Sequence, residues 1–155
     1  MNEAATIAPV LIFTYGNPSR GDDALGPAMF KMLEESPLDN VDLLTDFQLQ
    51  IEHALDLKQR EYILFIDAGI DCKAPYEMQQ LHAVKDDSYT SHAMSPASVL
   101  AVYQQVFHSA PPPAFLLTIK AYEFGLGQDM SNAAKNNLSQ AYDHLTKNPP
   151  WSAAV

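Results

Sequence analysis

Short apolar runs alternate along this 155-residue chain with segments whose apolar residues recur every three to four positions. The runs predict β-strands, and the periodic segments predict helices. The run from Tyr62 to Ile66 is apolar without alternation, which is typical of a strand covered on both faces. The predicted strands are 10–14, 41–44, 62–66, 78–84 and 115–119, and the predicted helices are 25–35, 51–59, 96–108 and 131–147.

This order of elements predicts one α/β domain over residues 1–155. Alternation of strands and helices favours a mostly parallel central sheet, and helices on both of its faces would give a three-layer α/β/α fold. Ser95 is expected to cap the helix that begins at Pro96. The tail from Asn148 onward is expected to fray.

Charge and cysteine content narrow the partners and the compartment. The chain has 19 acidic and 9 basic residues and a net charge of −10, which argues against nucleic acid and anionic membranes, because both are polyanions. A lone cysteine, Cys72, excludes a disulfide within one chain, so a reducing cytoplasm is expected. No segment has the length or apolarity of a membrane span, and the N-terminus lacks a secretory signal. We therefore expect a cytoplasmic monomer.

Acidic residues follow two of the predicted strands. Asp22 and Asp23 lie in the loop after the first strand, and Asp67 directly follows the strand 62–66. Parallel sheets bind ligands beyond the carboxyl ends of their strands, so these carboxylates would converge if both strands are parallel. The pair Asp22 and Asp23 also has a structural interpretation, because acids in the first turn of a helix favour its dipole. A carboxylate such as Asp67, at the end of an apolar strand, is costly unless it is paired or bound.

One histidine adds a third candidate ligand. His92 lies in a polar run just before the helix that begins at Pro96, where most histidines are simply solvated. Together with Asp23 and Asp67 it forms a set of three ligands with open positions. Such a set suits zinc or nickel, and the ligand types do not choose between them. The other histidines are expected at the surface: His53, His82, His108 and His144.

Several chemistries are disfavoured by missing motifs. The loop after the first strand contains neither the Gly-x-Gly-x-x-Gly nor the Gly-Lys-Ser/Thr phosphate fingerprint, so a nucleotide site is disfavoured. Cys72 has no basic partner nearby in sequence beyond Lys73, which is typical of a quiet thiol. No Gly-x-Ser-x-Gly elbow and no His-Glu-x-x-His helix is present, so a serine, cysteine or zincin protease is a poor fit.

The motifs around these residues resemble those of the hydrogenase maturation endopeptidases. The run from Gly16 to Gly26, Gly-Asn-Pro-Ser-Arg-Gly-Asp-Asp-Ala-Leu-Gly, is similar to their N-terminal signature. Leu64-Phe65-Ile66-Asp67-Ala68 is similar to their second acidic motif, and His92-Ala93-Met94-Ser95 to their histidine region. The segments 118–127 and 130–131 resemble their last strand, loop and closing helix, so the resemblance covers about residues 10–145.

This resemblance implies a function and a site. The family removes a C-terminal extension from the large-subunit precursor of nickel–iron hydrogenases after nickel has been inserted. The resemblance implies that Asp23, Asp67 and His92 are metal ligands, and that Asp23 or Asp67 also serves as the catalytic base. The metal is then nickel presented by the substrate, no organic cofactor is needed, and the partner is the large-subunit precursor.

The chain departs from the family in two places. Ser95 stands where a glycine is common after the histidine, and a proline follows it. Asp46-Phe47-Gln48-Leu49 stands where many members carry Asp-Gly-Gly-Thr, a stretch associated with substrate choice. The segment is expected beside the cleft, and the difference leaves open which hydrogenase is processed. Two other functions are also compatible with the residues: a flavodoxin-like binding module without hydrolytic activity, and a hydrolase that carries its own zinc.

Overall fold

A computed structural model describes residues 6–85 and 94–154. Within these ranges the chain forms five strands and three α-helices: β1 Val10–Tyr15, α1 Leu25–Glu35, β2 Val41–Asp46, β3 Tyr62–Gly69, β4 Tyr76–Leu81, α2 Pro96–Phe107, β5 Ala114–Lys120 and α3 Asn132–Lys147. Short 3₁₀ helices cover Gly21–Ala24, Ile51–Leu57 and Pro150–Ala154. The segment 51–59, predicted as a helix, is therefore a 3₁₀ helix that ends two residues early.

The five strands form one sheet in the order β2-β1-β3-β5-β4. All neighbouring pairs are parallel except β4 and β5, which are antiparallel at one edge. The connection from Ile70 to Pro75 is too short for the crossover that a parallel strand requires, so β4 reverses direction. The prediction of a mostly parallel sheet is confirmed.

Helices cover both faces of the sheet. On one face, α1 and α3 pack on side chains such as Ile12 and Leu64. On the other face, α2 and the 3₁₀ helix Ile51–Leu57 pack on their strand neighbours, including Phe13 and Phe65. The central part of β3, residues 63–66, is 0% exposed, as a strand covered on both faces should be. The three-layer α/β/α architecture is confirmed.

The ends of two helical segments are fixed by specific contacts. The Ser95 hydroxyl oxygen accepts a hydrogen bond from the Ser98 N–H at 3.1 Å, so the predicted cap of α2 is confirmed. The expectation of a frayed tail is wrong as far as Trp151, whose ring centroid lies 5.9 Å from that of Tyr62. Apolar burial of this aromatic pair offsets the entropy that favours fraying. No helix in the described part of the chain is long and apolar enough to cross a membrane.

Candidate active site

The carboxyl ends of three parallel strands bring acidic side chains to the same end of the sheet. β2 ends at Asp46, which pairs in register with Tyr15 at the end of β1. Asp67 lies in β3 one residue beyond the last paired position of β1 and β3, where Thr14 meets Ile66. Because these strands are parallel, Tyr15, Asp46 and Asp67 stand at the same end of the sheet, the location that the sequence predicted for Asp67.

The loop after β1 brings Asp23 to this end of the sheet. Gly16 has a φ of +148°, and a Cβ at this position would meet the Asp23 carbonyl oxygen at 2.2 Å, so the turn requires glycine. The Asn17 N–H donates to the Asp23 carboxylate at 2.8 Å and fixes the direction of that side chain. Gly26 allows α1 to begin against β1, since a Cβ there would lie 2.3 Å from the Tyr15 carbonyl oxygen.

Asp23, Asp67 and Tyr15 form one electrostatic cluster. The pKa of Asp67 is raised to about 7, mainly by burial and also by the nearby Asp23 carboxylate, while hydrogen bonds from the Ala68 N–H and the Tyr15 hydroxyl oppose the rise. Burial and the Asp67 and Asp23 carboxylates also raise the pKa of Tyr15 far above its usual range. Close, partly desolvated carboxylates favour a proton or a cation between them. Sequence reasoning missed Tyr15, although its position at the end of β1 is a signal of the same kind.

The adjacent acid, Asp22, has a different role. Its buried carboxylate accepts hydrogen bonds from the Tyr122 N–H at 2.8 Å and the Glu123 N–H at 3.1 Å. It also accepts from the Ser131 N–H at 2.7 Å and the Ser131 hydroxyl at 2.9 Å. Burial opposes ionisation, but these hydrogen bonds outweigh it and hold the pKa of Asp22 below its usual range. Asp22 therefore fastens the loop after β5 to the loop after β1.

Asp46, at the same end of the sheet, is hydrogen-bonded to a histidine. The His53 Nδ1 accepts from the Gln50 N–H at 2.8 Å, so its Nε2 carries the proton and donates to the Asp46 carboxylate at 3.2 Å. The His53 ring also meets the Phe13 ring edge-on, with centroids 4.6 Å apart. Its side chain is 12% exposed, so the expectation that His53 lies at the surface is wrong. The same expectation is confirmed for the three exposed histidines, His82, His108 and His144.

The segment that departs from the family pattern borders an apolar pocket beside the acidic cluster. This pocket, of about 330 Å³, is lined by Thr45, Asp46 and Phe47 on one side and by Gly16 and prolines on the other. The Phe47 side chain is 67% exposed, which is unusual for a large apolar residue and leaves it free to touch a bound chain. The Gly16 N–H donates to the Asp46 carbonyl oxygen at 3.1 Å, so this pocket adjoins the Asp23 loop.

The structure brings together two of the three predicted metal ligands. The Asp23 carboxylate lies close enough to Asp67 for its charge to raise the pKa of Asp67. His92 lies outside the described residues, four positions before the start of α2 in the sequence. Residues 6–85 and 94–154 contain no group of three His, Cys, Asp or Glu side chains that would hold a metal ion by themselves. The described donors thus supply two hard oxygen ligands, which fit part of a divalent-metal site.

Several solved structures with a similar architecture are hydrogenase maturation proteases. HycI from Thermococcus kodakarensis, a NiFe hydrogenase maturation protease, is 17% identical, with 90% of this chain and 91% of that chain covered at a TM-score of 0.66. The hydrogenase maturating endopeptidase HybD from E. coli is 18% identical, with 90% and 93% covered at 0.64. A hydrogenase 2 maturation peptidase from a Thaumarchaeota archaeon is 19% identical, with 89% and 95% covered at 0.63.

The chain has the fold of the hydrogenase maturation proteases. At these identities the likeness establishes the fold, and the resemblance drawn from the sequence motifs is confirmed to that extent. No family model matches the chain, and no curated protein matches it by sequence. The likeness covers 91%, 93% and 95% of the lengths of these three neighbours.

Proposed function

We propose that this protein is a cytoplasmic endopeptidase that removes the C-terminal extension of a nickel–iron hydrogenase large-subunit precursor after nickel insertion. The observation that carries the proposal is the pair of converging carboxylates, Asp23 and Asp67, at the ligand-binding edge of a maturation-protease fold. The acidic cluster would recognise a cation, and the neighbouring motifs match those of the family. Asp23, Asp67 and His92 are the proposed ligands.

The nickel ion belongs to the substrate in this proposal. A nickel ion already held by precursor thiolates would take its remaining ligands from the two carboxylates and the imidazole. It would hold the scissile peptide in the cleft and polarise its carbonyl group. Asp23 or Asp67 would also serve as the base that activates the attacking water. Recognition and catalysis would then depend on the same side chains, so an unloaded precursor would be neither held nor cleaved.

The rim of the cleft supports binding of an extended chain. Phe47 and the apolar pocket beside it offer a contact surface on one side of the Asp23 loop. On the other side, the loop held by Asp22 exposes Tyr122 and Leu126, which are 43% and 70% exposed. Apolar side chains that stand out on both sides of a charged cleft favour a protein substrate over a small ion or nucleotide.

The test uses matched precursors with and without nickel. The wild-type protein is incubated with each of a set of large-subunit precursors, and release of the C-terminal peptide is followed by mass spectrometry. We expect one nickel-loaded precursor to be cleaved and its nickel-free form to stay intact. Prior dialysis of the enzyme against a chelator should not change the rate, because the metal arrives with the substrate.

Two results would contradict this proposal. Cleavage of the nickel-free precursor at a comparable rate, together with zinc that survives dialysis, would point to a hydrolase with its own metal. Failure to cleave any loaded precursor, together with a bound flavin after purification, would point to a flavodoxin-like binding module. The acidic loop after β1 speaks against the second outcome, since its carboxylates would repel the phosphate of a flavin nucleotide.

A further inference from the structure

A second cavity lies at the amino-terminal ends of β1, β2 and β3, at the opposite end of these strands from Asp23 and Asp67. Its volume is about 680 Å³, within the range of about 300–1,000 Å³ that is common for ligand pockets. Pro9 and Val10 at the start of β1 line it, with Leu38 before β2 and Trp151 from the C-terminal 3₁₀ helix. None of these residues belongs to the candidate active site, so the cavity needs a separate explanation.

The strand register sets the two sides of this cavity. Val10 pairs with Val41 of β2 and with Tyr62 of β3, so the residues just before the three strands lie in a row. Asp39 lines the cavity before β2, and Glu61 lines it before β3. Neighbouring strands are about 4.8 Å apart, and these acids are separated by two strand spacings, or about 10 Å at the backbone. Two carboxylates therefore flank the mouth.

Both carboxylates are available to a ligand. Asp39 and Glu61 are exposed, and neither takes part in the ion pairs of the described residues. The basic residue next to Glu61, Arg60, is already engaged: its guanidinium donates to the Asp42 carboxylate at 2.5 Å and to the Ala8 carbonyl oxygen at 2.9 Å. The mouth of the cavity thus has two negative charges that no basic side chain of the described chain balances.

The wall of the cavity contains a buried tyrosine whose hydroxyl is free. The Tyr62 ring stacks on Phe115, with centroids 4.7 Å apart and planes at 7°, and the residue is 8% exposed. Its hydroxyl makes no hydrogen bond to any other described residue. No fully enclosed side-chain polar atom in the described part of the chain lacks a partner, so this hydroxyl must reach open space. Tyr62 lines this cavity together with Trp151, and the centroids of their two rings lie 5.9 Å apart.

We propose that this cavity is a binding site for an ammonium or guanidinium group carried on an apolar stem. The stem would lie against Pro9, Val10 and Leu38, and the cation would meet the Asp39 and Glu61 carboxylates. The Tyr62 hydroxyl oxygen would accept a hydrogen bond from the cationic head, and the Trp151 ring supplies an aromatic surface that attracts cations. An anion would be repelled by the two acids, and a neutral ligand would gain no charge attraction from them.

This chemistry fits a free diamine or a lysine or arginine side chain of a partner protein. Binding would not depend on the proteolytic function proposed above, since no residue of the Asp23 and Asp67 cluster takes part. A single tryptophan, Trp151, is present in the chain, so its fluorescence reports on this cavity without interference from other sites. The test therefore needs no labelling and no hydrogenase substrate.

The experiment titrates the full-length protein with cadaverine, with a short peptide containing one lysine, and with pentan-1-ol as a neutral analogue. We expect a saturable change in Trp151 fluorescence with at least one of the two cations, at a Kd of about 1 mM or tighter. Cadaverine alone would assign a free diamine as the ligand, and the peptide would assign a protein side chain. Binding should weaken as salt is added, because the two carboxylates are exposed.

Variants separate this site from nonspecific attraction to an acidic protein. Asp39→Asn with Glu61→Gln should weaken cation binding about tenfold or more. Asp71→Asn with Asp129→Asn removes the same charge from other exposed positions and should leave binding unchanged. Tyr62→Phe keeps the ring and should weaken binding by a smaller factor. The proposal is overturned if neither cation gives a saturable change, if pentan-1-ol binds equally well, or if the first pair binds like wild type.

Discussion

Asp22 and Asp23 are neighbours in one loop, yet their surroundings differ completely. The Asp22 carboxylate is buried and saturated, with four hydrogen bonds from the segment between Tyr122 and Ser131. The Asp23 carboxylate receives one backbone hydrogen bond, from Asn17, and lies close enough to Asp67 to raise the pKa of that residue. One acid is therefore satisfied by the protein itself, while the other belongs with Asp67 to the proposed metal-binding site.

This difference separates structural acids from functional ones. A carboxylate with a full set of donors gains nothing from a ligand, because its desolvation is already compensated. A pair of carboxylates without a counter-charge is held together only because the fold enforces it, and it gains much from a cation. The contrast between the Asp22 loop contact and the Asp23 and Asp67 cleft can be tested by removing each charge separately.

The largest effect is expected on precursor cleavage. Asp23→Asn and Asp67→Asn nearly preserve shape but remove the ligand charge, and His92→Ala removes the nitrogen ligand. Each change should slow cleavage of the nickel-loaded precursor about 100-fold or more, which corresponds to about 3 kcal/mol of transition-state stabilisation. Rates are measured by mass spectrometry of the released peptide, with circular dichroism to show that each variant is folded.

Asp71→Asn is the matched control for these variants, since Asp71 is an exposed acid that lies outside the cluster. It should cleave at the wild-type rate. If Asp23→Asn or Asp67→Asn retained wild-type activity while folded, that carboxylate would be neither ligand nor base. The comparison with Asp22 would then have to be drawn from stability alone.

The second effect, on stability, is expected for Asp22→Asn. Asparagine has one acceptor oxygen, and its amide hydrogens would face the donors of Tyr122, Glu123 and Ser131. Buried donors left without an acceptor make this change cost about 3 kcal/mol of unfolding free energy. Urea denaturation measures the loss as a lower midpoint at an unchanged slope.

Asp23→Asn serves as the comparison for this measurement, because asparagine can still accept the single bond from the Asn17 N–H. Its cost should be about 1 kcal/mol or less. Equal losses for the two variants would mean that Asp22 is no more structural than Asp23. The interpretation of Asp22 as the fastening between two loops would then be wrong.

The fold was predictable from sequence because its signals are local. The apolar run of β3 has no polar interruption, and Ser95 precedes Pro96 in the pattern of a capped helix, so both elements follow from neighbouring residues alone. The direction of β4 was harder to predict from the sequence, since it depends on the length of a connection and on the partner strand. Trp151 packs on Tyr62, which is far away in the sequence, and no local sequence pattern predicts this contact.

The site was predictable in part for the same reason. Asp23 and Asp67 follow strands, so the rule for parallel sheets places them at one edge. The distinct role of Asp22 was hidden, because its donors lie about a hundred residues away in the chain. The hydrogen bond between His53 and Asp46 was missed. A short 3₁₀ helix directs the imidazole inward, and no sequence motif marks this arrangement.

The smallest effect is on the pH dependence of stability, which Asp67 and Asp22 should change in opposite directions. Burial raises the pKa of Asp67 to about 7 in the folded protein, above its value of about 4 in an unfolded chain. Between these values the folded state holds a proton that the unfolded state has lost, so this residue makes stability fall as pH rises. Hydrogen bonds lower the pKa of Asp22, so its contribution is present at neutral pH and is lost as pH falls through its folded pKa.

Asp67→Asn cannot ionise, so it should match wild type near pH 4 and be more stable than wild type at pH 8. The full shift corresponds to about 4 kcal/mol, and partial solvent exposure of Asp67 reduces the expected gain to about 2 kcal/mol. Urea midpoints measured for both proteins across this range give the difference directly. Asp22→Asn should show the reverse trend, with its deficit largest at neutral pH and smaller in acid. Parallel curves for Asp67→Asn and wild type would mean that the cleft does not strain this carboxylate, and the contrast with Asp22 would lose its electrostatic basis.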